Sequence, residues 1–193
     1  MNDYKISDEY KGGARELEFN EDDYWMMIAR VASLRSNDPS TRVGACYVSE
    51  GGEFISFGYN HSPSKWNINT FPFKGGAKEL HNTKYPYIIH GEIDGLKEKD
   101  YTNSTCYVTL FPCSNCAKQM IHRGVKRVVY LDFRMSESIK EDVESVLIMF
   151  KECGVECVNY RDIRGIDGLE VNFKDVTEDN VKILKRTRNI DGQ

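Results

Sequence analysis

Apolar side chains recur at two different spacings along the chain, and the spacing separates helices from strands. Intervals of three and four predict an amphipathic helix over residues 21–35, and Asp38 followed by Pro39 ends that pattern. Residues 42–49 and 54–59 are short runs rich in β-branched and aromatic residues, separated by a Glu-Gly-Gly-Glu turn. Two such runs joined by a glycine-containing turn predict a β-hairpin.

The second half of the chain alternates between the strand pattern and the helix pattern. Such alternation predicts parallel strands with helices packed on the faces of the sheet. Together with the hairpin it predicts an α/β fold, a three-layer α/β/α arrangement around a mixed five-stranded sheet. The predicted strands are 105–110, 126–131 and 155–158, and the predicted helices are 91–99, 112–122 and 138–151.

Composition along the chain predicts a single domain with a segment on either side. Residues 1–19 form a polar lead-in, residues 20–160 form the domain, and residues 161–193 form a charged C-terminal extension. Within the domain, residues 60–89 are rich in proline and asparagine and predict a long loop. Long loops in compact domains are often functional.

Composition and charge narrow the class of partner. Charged residues make up 29% and hydrophobic residues 40% of the chain, which is typical of a globular protein. Lys and Arg number 26 against 30 Asp and Glu, so the net charge of −4 favours a small substrate over a long nucleic acid. No apolar run reaches the length of about 18 residues that a membrane span needs. The polar, acidic start lacks the apolar core of a secretory signal, so we expect a cytoplasmic protein.

Six cysteines divide into two groups by their surroundings. Without a secretion signal, a disulfide framework is not expected. Cys46 and Cys106 lie in apolar, strand-like runs, and Cys153 and Cys157 flank a glycine turn. We interpret these four as small buried hydrophobic residues.

Four residues at two predicted helix starts form the candidate catalytic group. Cys113 and Cys116 are three apart, so both thiols can face one point, and a helix N-terminus lowers thiol pKa values. With His90 they make three zinc ligands and leave the fourth position for water, as in catalytic zinc sites. Glu92 places a carboxylate nearby for proton transfer. A lone C-x-x-C motif leaves an alternative open, in which the two cysteines only pack against the sheet and bind no metal.

The spacing H-x-E with P-C-x-x-C matches the signature of zinc-dependent base deaminases. From about residue 24 to residue 158 the chain resembles the deoxycytidylate (dCMP) deaminases of the zinc-dependent cytidine deaminase superfamily, whose α/β fold it would share. Further family-like motifs are Arg35-Ser36-Asn37-Asp38-Pro39, Val43-Gly44-Ala45-Cys46, Tyr59-Asn60, Ser62-Pro63, Thr83-Lys84-Tyr85-Pro86-Tyr87 and Leu110-Phe111-Pro112-Cys113.

The resemblance implies roles for the candidate catalytic group. His90, Cys113 and Cys116 would hold a Zn²⁺ ion. Glu92 would take a proton from the attacking water, protonate ring N3 of the base, and later deliver a proton to the leaving ammonia.

The resemblance also implies contacts to the base of a nucleotide. The backbone at Thr109, Leu110 and Phe111 would hold the edge of the base. Phe133, after the fourth predicted strand, would pack on the pyrimidine ring. The alternative is that Phe133 belongs to the core or the surface and does not contact the base.

The sugar and the phosphate would be bound from the long loop. Asn60 would bind the sugar hydroxyl, and Lys65 and Lys84 are candidates for the 5′-phosphate. For either lysine, the alternative is a solvated side chain that does not bind the phosphate.

Three residues depart from the family pattern. Gly91 and Gly95 stand where relatives usually carry alanine, and His61 stands where they often carry glycine. The two glycines weaken a short helix by about 1 kcal/mol each, and we expect them to enlarge the space near the site. In the family the loop around His61 contributes to a site where dCTP activates and dTTP inhibits, together with Mg²⁺. The histidine could change that control or widen the substrate range.

The implied activity is zinc-dependent hydrolytic deamination of dCMP to dUMP and ammonia, which supplies dUMP for dTMP synthesis. The implied assembly is a homo-oligomer, with a hexamer favoured. Two alternatives stay open. One is a deaminase for a 5-modified dCMP or another cytidine compound. The other is a non-catalytic regulatory module that binds deoxynucleotides.

Overall fold

The computed structural model describes residue 12 and residues 20–73, 78–134, 136 and 139–164. In chain order its helices and strands are α1 (Glu21–Ser33), β1 (Gly44–Val48), β2 (Phe54–Tyr59), a 3-10 turn (Leu80–Asn82), α2 (Gly91–Gly95), β3 (Thr105–Leu110), α3 (Ser114–His122), β4 (Arg127–Asp132), α4 (Lys140–Glu152), β5 (Glu156–Asn159) and α5 (Tyr160–Arg164).

The five strands form one mixed sheet in the order β2-β1-β3-β4-β5. Strand β1 runs antiparallel to β2 and β3, whereas β3, β4 and β5 are parallel. The hairpin closes with the Ser49 N–H donating to the Glu53 carbonyl at 2.8 Å. Gly52 in that turn has a φ of +78°, which favours glycine. The predicted mixed five-stranded sheet is confirmed.

Helices cover both faces of the sheet, which confirms the three-layer α/β/α arrangement. On one face, Met26 and Ala29 of α1 and Tyr160 of α5 pack with Val129 in one apolar core. On the other face, the core contains Ala117 and Met120 of α3 together with Val146 and Phe150 of α4, and Ile93 of α2 packs against it. The second face carries the candidate catalytic group.

Helix α1 begins where the sequence predicts and ends slightly earlier. The Asn20 side chain accepts a hydrogen bond from the Asp23 N–H at 2.8 Å, and the Asp23 carboxylate accepts from the Asn20 N–H at 3.3 Å. This capping box satisfies two backbone donors of the first turn. The helix ends at Ser33. Asp38 therefore lies in the following loop rather than at the helix end, and it has a different role, described below.

The two helices that carry the candidate catalytic group are shorter than predicted. Helix α2 ends at Gly95, because the Leu96 N–H turns back to the Ile93 carbonyl. Helix α3 has Cys113 as its N-cap, so Pro112 lies before the helix and not in its first turn. The correction to α3 places Cys113, a candidate zinc ligand, in the extended cap position rather than inside the helix.

The described cysteines are free thiols, and three of the four predicted to be buried are at least partly so. Cys46 and Cys106 are fully buried, and Cys157 is half-buried. The prediction for Cys153 is wrong, because it is exposed at the C-cap of α4. Gly154 then turns the chain with a φ of +65° and leaves Cys153 at the surface.

The predicted boundary at residue 160 falls at the first residue of α5. The Tyr160 hydroxyl donates to the Asp23 carboxylate, which ties this short helix to α1. Most of the predicted lead-in and the chain after Arg164 lie outside the described residues, so the domain boundaries stay predictions. Among the described helices, none has the length and apolar character needed to cross a bilayer.

Candidate active site

A cavity of about 530 Å³ opens at the carboxyl end of β3. Ligands of open α/β sheets commonly bind outside the carboxyl ends of the strands. The lining residues come from the loops before β1 and after β2, from the start of α2, from the β3–α3 turn, and from α4. They include Asp38, Ser40, Thr41, Asn60, Lys84, Tyr85, Ile88, His90, Glu92, Leu110, Phe111, Cys113, Arg134, Ile139, Asp142 and Val143.

His90, Glu92 and Cys113 line one part of the cavity, and the fully buried Cys116 lies beside them; we call these four residues the metal wall. His90 caps α2, Cys113 caps α3, and Cys116 lies in the first turn of α3. The ligand atoms of the histidine and the two cysteines lie within 4.8 Å of one another. The starts of two helices thus bring His90 together with residues that are 23 and 26 positions away in sequence.

The distances between these atoms fit a tetrahedral zinc ion. His90 Nδ1 lies 3.5 Å from Cys113 Sγ and 3.3 Å from Cys116 Sγ. Zinc bonds of ordinary length to nitrogen and sulfur, at the tetrahedral angle, separate the two atoms by about 3.6 Å. The three side chains therefore stand near the corners that zinc requires, and a fourth corner is left for another ligand.

The pKa values of the two thiols are shifted in opposite directions. A hydrogen bond from Cys116, together with one from His90, lowers the pKa of Cys113 to about 4. The same hydrogen bond and burial raise the pKa of Cys116 well above its ordinary value. The pKa of His90 is raised, chiefly because it hydrogen-bonds to Cys113. Binding a metal to both sulfurs must release the Cys116 proton, so metal affinity rises with pH.

Glu92 lies in the same wall and is only 4% exposed. Burial raises the pKa of its carboxyl group to about 7, and its side chain hydrogen-bonds to Cys116. A carboxyl group whose pKa lies near neutrality can both accept and donate a proton at physiological pH. The position beside the ligand atoms suits a proton carrier rather than a fourth ligand.

Another part of the cavity lining, which we call the loop wall, consists of Asp38, Ser40, Thr41, Asn60, Lys84 and Arg134. Lys84 Nζ lies 2.5 Å from Asp38 Oδ2 and 2.6 Å from Ser40 Oγ. The other carboxylate oxygen, Asp38 Oδ1, accepts from the Ser40 N–H at 2.9 Å and the Thr41 N–H at 3.1 Å. The side chains of Lys84 and Asp38 are 9% and 1% exposed.

The charge balance of the loop wall depends on Asp38. Burial by itself raises the pKa of Asp38, but hydrogen bonds from Lys84, Ser40 and Thr41 outweigh it and hold the pKa below its ordinary value. The carboxylate therefore stays ionised and neutralises the lysine beside it. A buried pair of this kind is costly to break, because one partner is then left charged and unpaired.

Asn60 lines the cavity and holds the loop that leads into β1. Its Oδ1 accepts from the Val43 N–H at 2.7 Å, and its Nδ2 donates to the Thr41 carbonyl at 2.9 Å. The amide thus uses both of its ends within the protein. Its predicted contact to a sugar hydroxyl stays a prediction.

The predicted base-edge residues divide between the cavity wall and the core. Leu110 and Phe111 line the cavity. Thr109 is buried behind them, where its Oγ1 accepts from the Gly44 N–H at 3.0 Å. The threonine side chain therefore fixes the strand pairing below the cavity.

Two predicted substrate contacts lie outside the lining of the cavity. Phe133 is 40% exposed and packs edge-on against Phe111, with ring centroids 5.2 Å apart. Through Phe111 it adjoins the wall without forming it. Lys65 is exposed in the long loop, away from the lining residues. Both assignments stay predictions.

The expected extra space at the two glycines is occupied by the protein itself. A Cβ atom on Gly95 would lie 2.6 Å from Cε2 of Tyr47. A Cβ atom on Gly91 would lie 3.0 Å from the Val43 carbonyl. The expectation is therefore corrected: the glycines allow α2 to approach a tyrosine ring and the neighbouring loop.

The third departure, His61, lies beside the same short helix. Its backbone pairs with Ile89, just before the ligand His90. Its Nε2 lies 3.4 Å from Asp94 Oδ1, and Lys97 also donates to that oxygen at 2.8 Å. The imidazole thus connects the long loop to α2.

Sequence reasoning missed several residues of the cavity, and two of them are charged. Asp142 of α4 accepts a hydrogen bond from the Ser114 N–H at 3.0 Å and so supports the first turn of α3. Arg134 lines the cavity and donates to Thr41 Oγ1 at 2.9 Å. Neither residue belongs to a short motif, so their positions depend on tertiary packing. For Asp38, the Asp-Pro-Ser-Thr run was a usable signal, because such an aspartate often binds the backbone that follows it.

Comparisons with known proteins agree with this geometry. The family described as the cytidine and deoxycytidylate deaminase zinc-binding region matches residues 19–132. Deoxycytidylate deaminase of Mus musculus is 35% identical over 136 residues, which are 69% of this chain and 75% of the relative. The enzyme of that name from Homo sapiens is 32% identical over 136 residues, with the same 69% and 75% coverage.

A solved structure supports the fold. The dCMP deaminase from the cyanophage S-TIM5, in complex with dCMP and dUMP, aligns with a TM-score of 0.55 at 23% identity, over 71% of this chain and 94% of that chain. The family match covers more than half of the chain and includes every residue of the metal wall. The chain therefore belongs to the cytidine and deoxycytidylate deaminase family.

Proposed function

We propose that the protein catalyses the hydrolytic deamination of dCMP to dUMP and ammonia. The observation that carries the proposal is the metal wall, in which three clustered zinc-compatible ligands adjoin a buried carboxyl group at one cavity. The mouse and human relatives bear the name deoxycytidylate deaminase, which supports dCMP as the substrate.

The reaction replaces the amino group at C4 of the pyrimidine with the oxygen of water. A C4–O bond forms, the C4–N bond breaks, and ammonia leaves. His90, Cys113 and Cys116 would hold zinc, which supplies the Lewis acidity that lowers the pKa of water to about 7.

Glu92 would carry both protons that the reaction moves. It takes one proton from the attacking water and gives it to N3, where it remains in the product. It takes the second from the new hydroxyl group and delivers it to the departing amine. A carboxyl group with a pKa near 7 suits both directions of transfer.

The loop wall would recognise the sugar and phosphate end of the nucleotide. Lys84 uses two of its donors on Asp38 and Ser40 and lines the cavity. Arg134 adds a second cation at the same end. Its guanidinium group donates a hydrogen bond to the neutral hydroxyl group of Thr41. Because Asp38 already neutralises Lys84, we assign most of the phosphate attraction to Arg134.

Several finer expectations remain part of this proposal. Regulation by dCTP and dTTP with Mg²⁺ and assembly into a hexamer are implied by the family resemblance, and a cytoplasmic location remains a prediction from the sequence. His61 is the position at which regulation would differ from that of relatives, because it connects the long loop to α2.

A substrate panel tests the proposed function. The zinc-loaded protein is assayed for ammonia release from dCMP, CMP, deoxycytidine and 5-hydroxymethyl-dCMP, each with and without dCTP and Mg²⁺. We expect dCMP to give the highest kcat/KM. Preference for the 5-substituted nucleotide would redirect the proposal to a modified substrate. Zinc retention without turnover of any compound, with a melting shift by dCTP, would replace it with the non-catalytic module.

A further inference from the structure

Helix α2 carries Glu92, although the sequence of this helix gives it little intrinsic stability. It spans five residues, Gly91–Gly95, and two of them are glycines. The last four carbonyls of any helix lack partners within the helix, and here those four begin with the carbonyl of Glu92 itself. A helix this short depends on contacts from outside for its orientation.

Three hydroxyl groups, from β1, β2 and the segment before β3, supply such contacts. Ser56 Oγ and the Tyr101 hydroxyl donate to the Gly95 carbonyl at 2.7 and 2.9 Å. The Tyr47 hydroxyl donates to the Glu92 carbonyl at 2.8 Å. Tyr47 is thus the member of this group that binds the residue with the catalytic carboxyl group.

The ring of Tyr47 reaches this carbonyl because Gly95 has no side chain. A Cβ atom on Gly95 would lie 2.6 Å from Cε2 and 3.1 Å from Cδ2 of the ring. The ring is fully buried and packs edge-on against Tyr101, with centroids 5.1 Å apart. The glycine and the tyrosine therefore form a complementary pair.

We propose that Tyr47 is a positioning residue that fixes Glu92 for proton transfer by holding its backbone carbonyl, and that Gly95 is the residue that admits it. The inference rests on the proposed function. It assigns a catalytic purpose to a departure from the family pattern that otherwise only weakens a helix. A carboxyl group held within a fraction of an ångström transfers protons more often than one whose helix can shift.

Tyr47→Phe removes the hydroxyl and keeps the ring. We expect kcat for dCMP to fall about tenfold, with KM and zinc content unchanged. Tyr107→Phe is the matched control, because it removes the hydroxyl group of another buried tyrosine, which donates to Asp22 on the other face of the sheet. We expect its kcat to stay within about twofold of the wild type. Equal losses in both variants, or no loss in Tyr47→Phe, would overturn the positioning role.

A second pair of variants tests the same role by starting from Gly95 instead of Tyr47. Gly95→Ala pushes a methyl group into the ring, and we expect it to lower kcat as Tyr47→Phe does. Adding Tyr47→Ile clears the ring, so the double variant should recover stability but not kcat. Recovery of wild-type kcat by the double variant would contradict the proposal. Wild-type protein that holds zinc and does not deaminate dCMP would overturn the proposed function as well.

Discussion

The two walls of the cavity are built in different ways. The metal wall comes from two helix starts, and its chemistry is contained in two motifs of three and four residues within a span of 27 positions, His90–Cys116. The loop wall is assembled from three loops, and its central ion pair joins residues 46 positions apart. The comparison indicates that short motifs supply the proposed chemistry, whereas tertiary packing builds the proposed nucleotide-binding part of the cavity.

The largest effect should follow from removing a ligand of the metal wall. Cys116→Ser should lose zinc and reduce ammonia release to background, because one thiolate is missing from the set. Cys153→Ser is the matched control, since Cys153 is exposed and distant from the cluster. Zinc content is measured by elemental analysis alongside activity. Full activity in Cys116→Ser would remove it from the ligand set.

The next effect separates metal binding from proton transfer within the same wall. Glu92→Gln keeps the size of the side chain and should lower kcat by about 10³-fold. Its zinc content should equal that of the wild type, because Glu92 is not one of the three ligand residues. Turnover at a wild-type rate would contradict the assigned role. Loss of zinc would place Glu92 in the coordination sphere.

Changes in the loop wall should act on binding more than on chemistry. Arg134→Ala should raise KM for dCMP about tenfold and leave kcat within about twofold, the pattern of lost ground-state binding. Deoxycytidine, which lacks the phosphate, should show no change in kcat/KM. Steady-state kinetics with dCMP and with deoxycytidine measures both expected results. An equal loss for both compounds would contradict a phosphate contact.

The smallest effect is a pH dependence of stability. The pKa of Asp38 in the folded protein lies below its ordinary value of 3.8. The ion pair therefore stabilises the fold above that ordinary value, and this stability is lost as the pH falls through the lower folded pKa. Denaturant unfolding of the metal-free protein between neutral and acid pH should show the loss. Asp38→Asn should flatten that dependence, and an unchanged slope would contradict the pairing.

The metal wall and the sheet could be predicted from the sequence, because both depend on short-range spacing. The strand Thr105–Leu110 was predicted to the residue, and the order of helices and strands followed from periodicity. Helix ends were less accurate. Helix α2 stops after Gly95, where hydroxyl groups from β1, β2 and the segment before β3 bind its carbonyls. No local sequence pattern reveals these contacts.

The loop wall shows what spacing alone does not predict. Lys84 was a candidate phosphate ligand, yet it pairs with Asp38, which the sequence suggested as a helix stop and as part of a family-like motif but not as a partner of Lys84. Arg134 gave no signal at all. The glycines of α2 suggested empty space, and only the three-dimensional packing of Tyr47 shows that the space is filled.

The most direct test of the account is the ratio of kcat/KM for dCMP to that for deoxycytidine, measured by ammonia release from the zinc-loaded protein. The metal wall acting with a phosphate-binding loop wall predicts a ratio of at least about 100. A ratio near one would show that the loop wall does not select nucleotides. The absence of turnover with either compound, in protein that retains zinc, would contradict the central claim that this cavity deaminates dCMP.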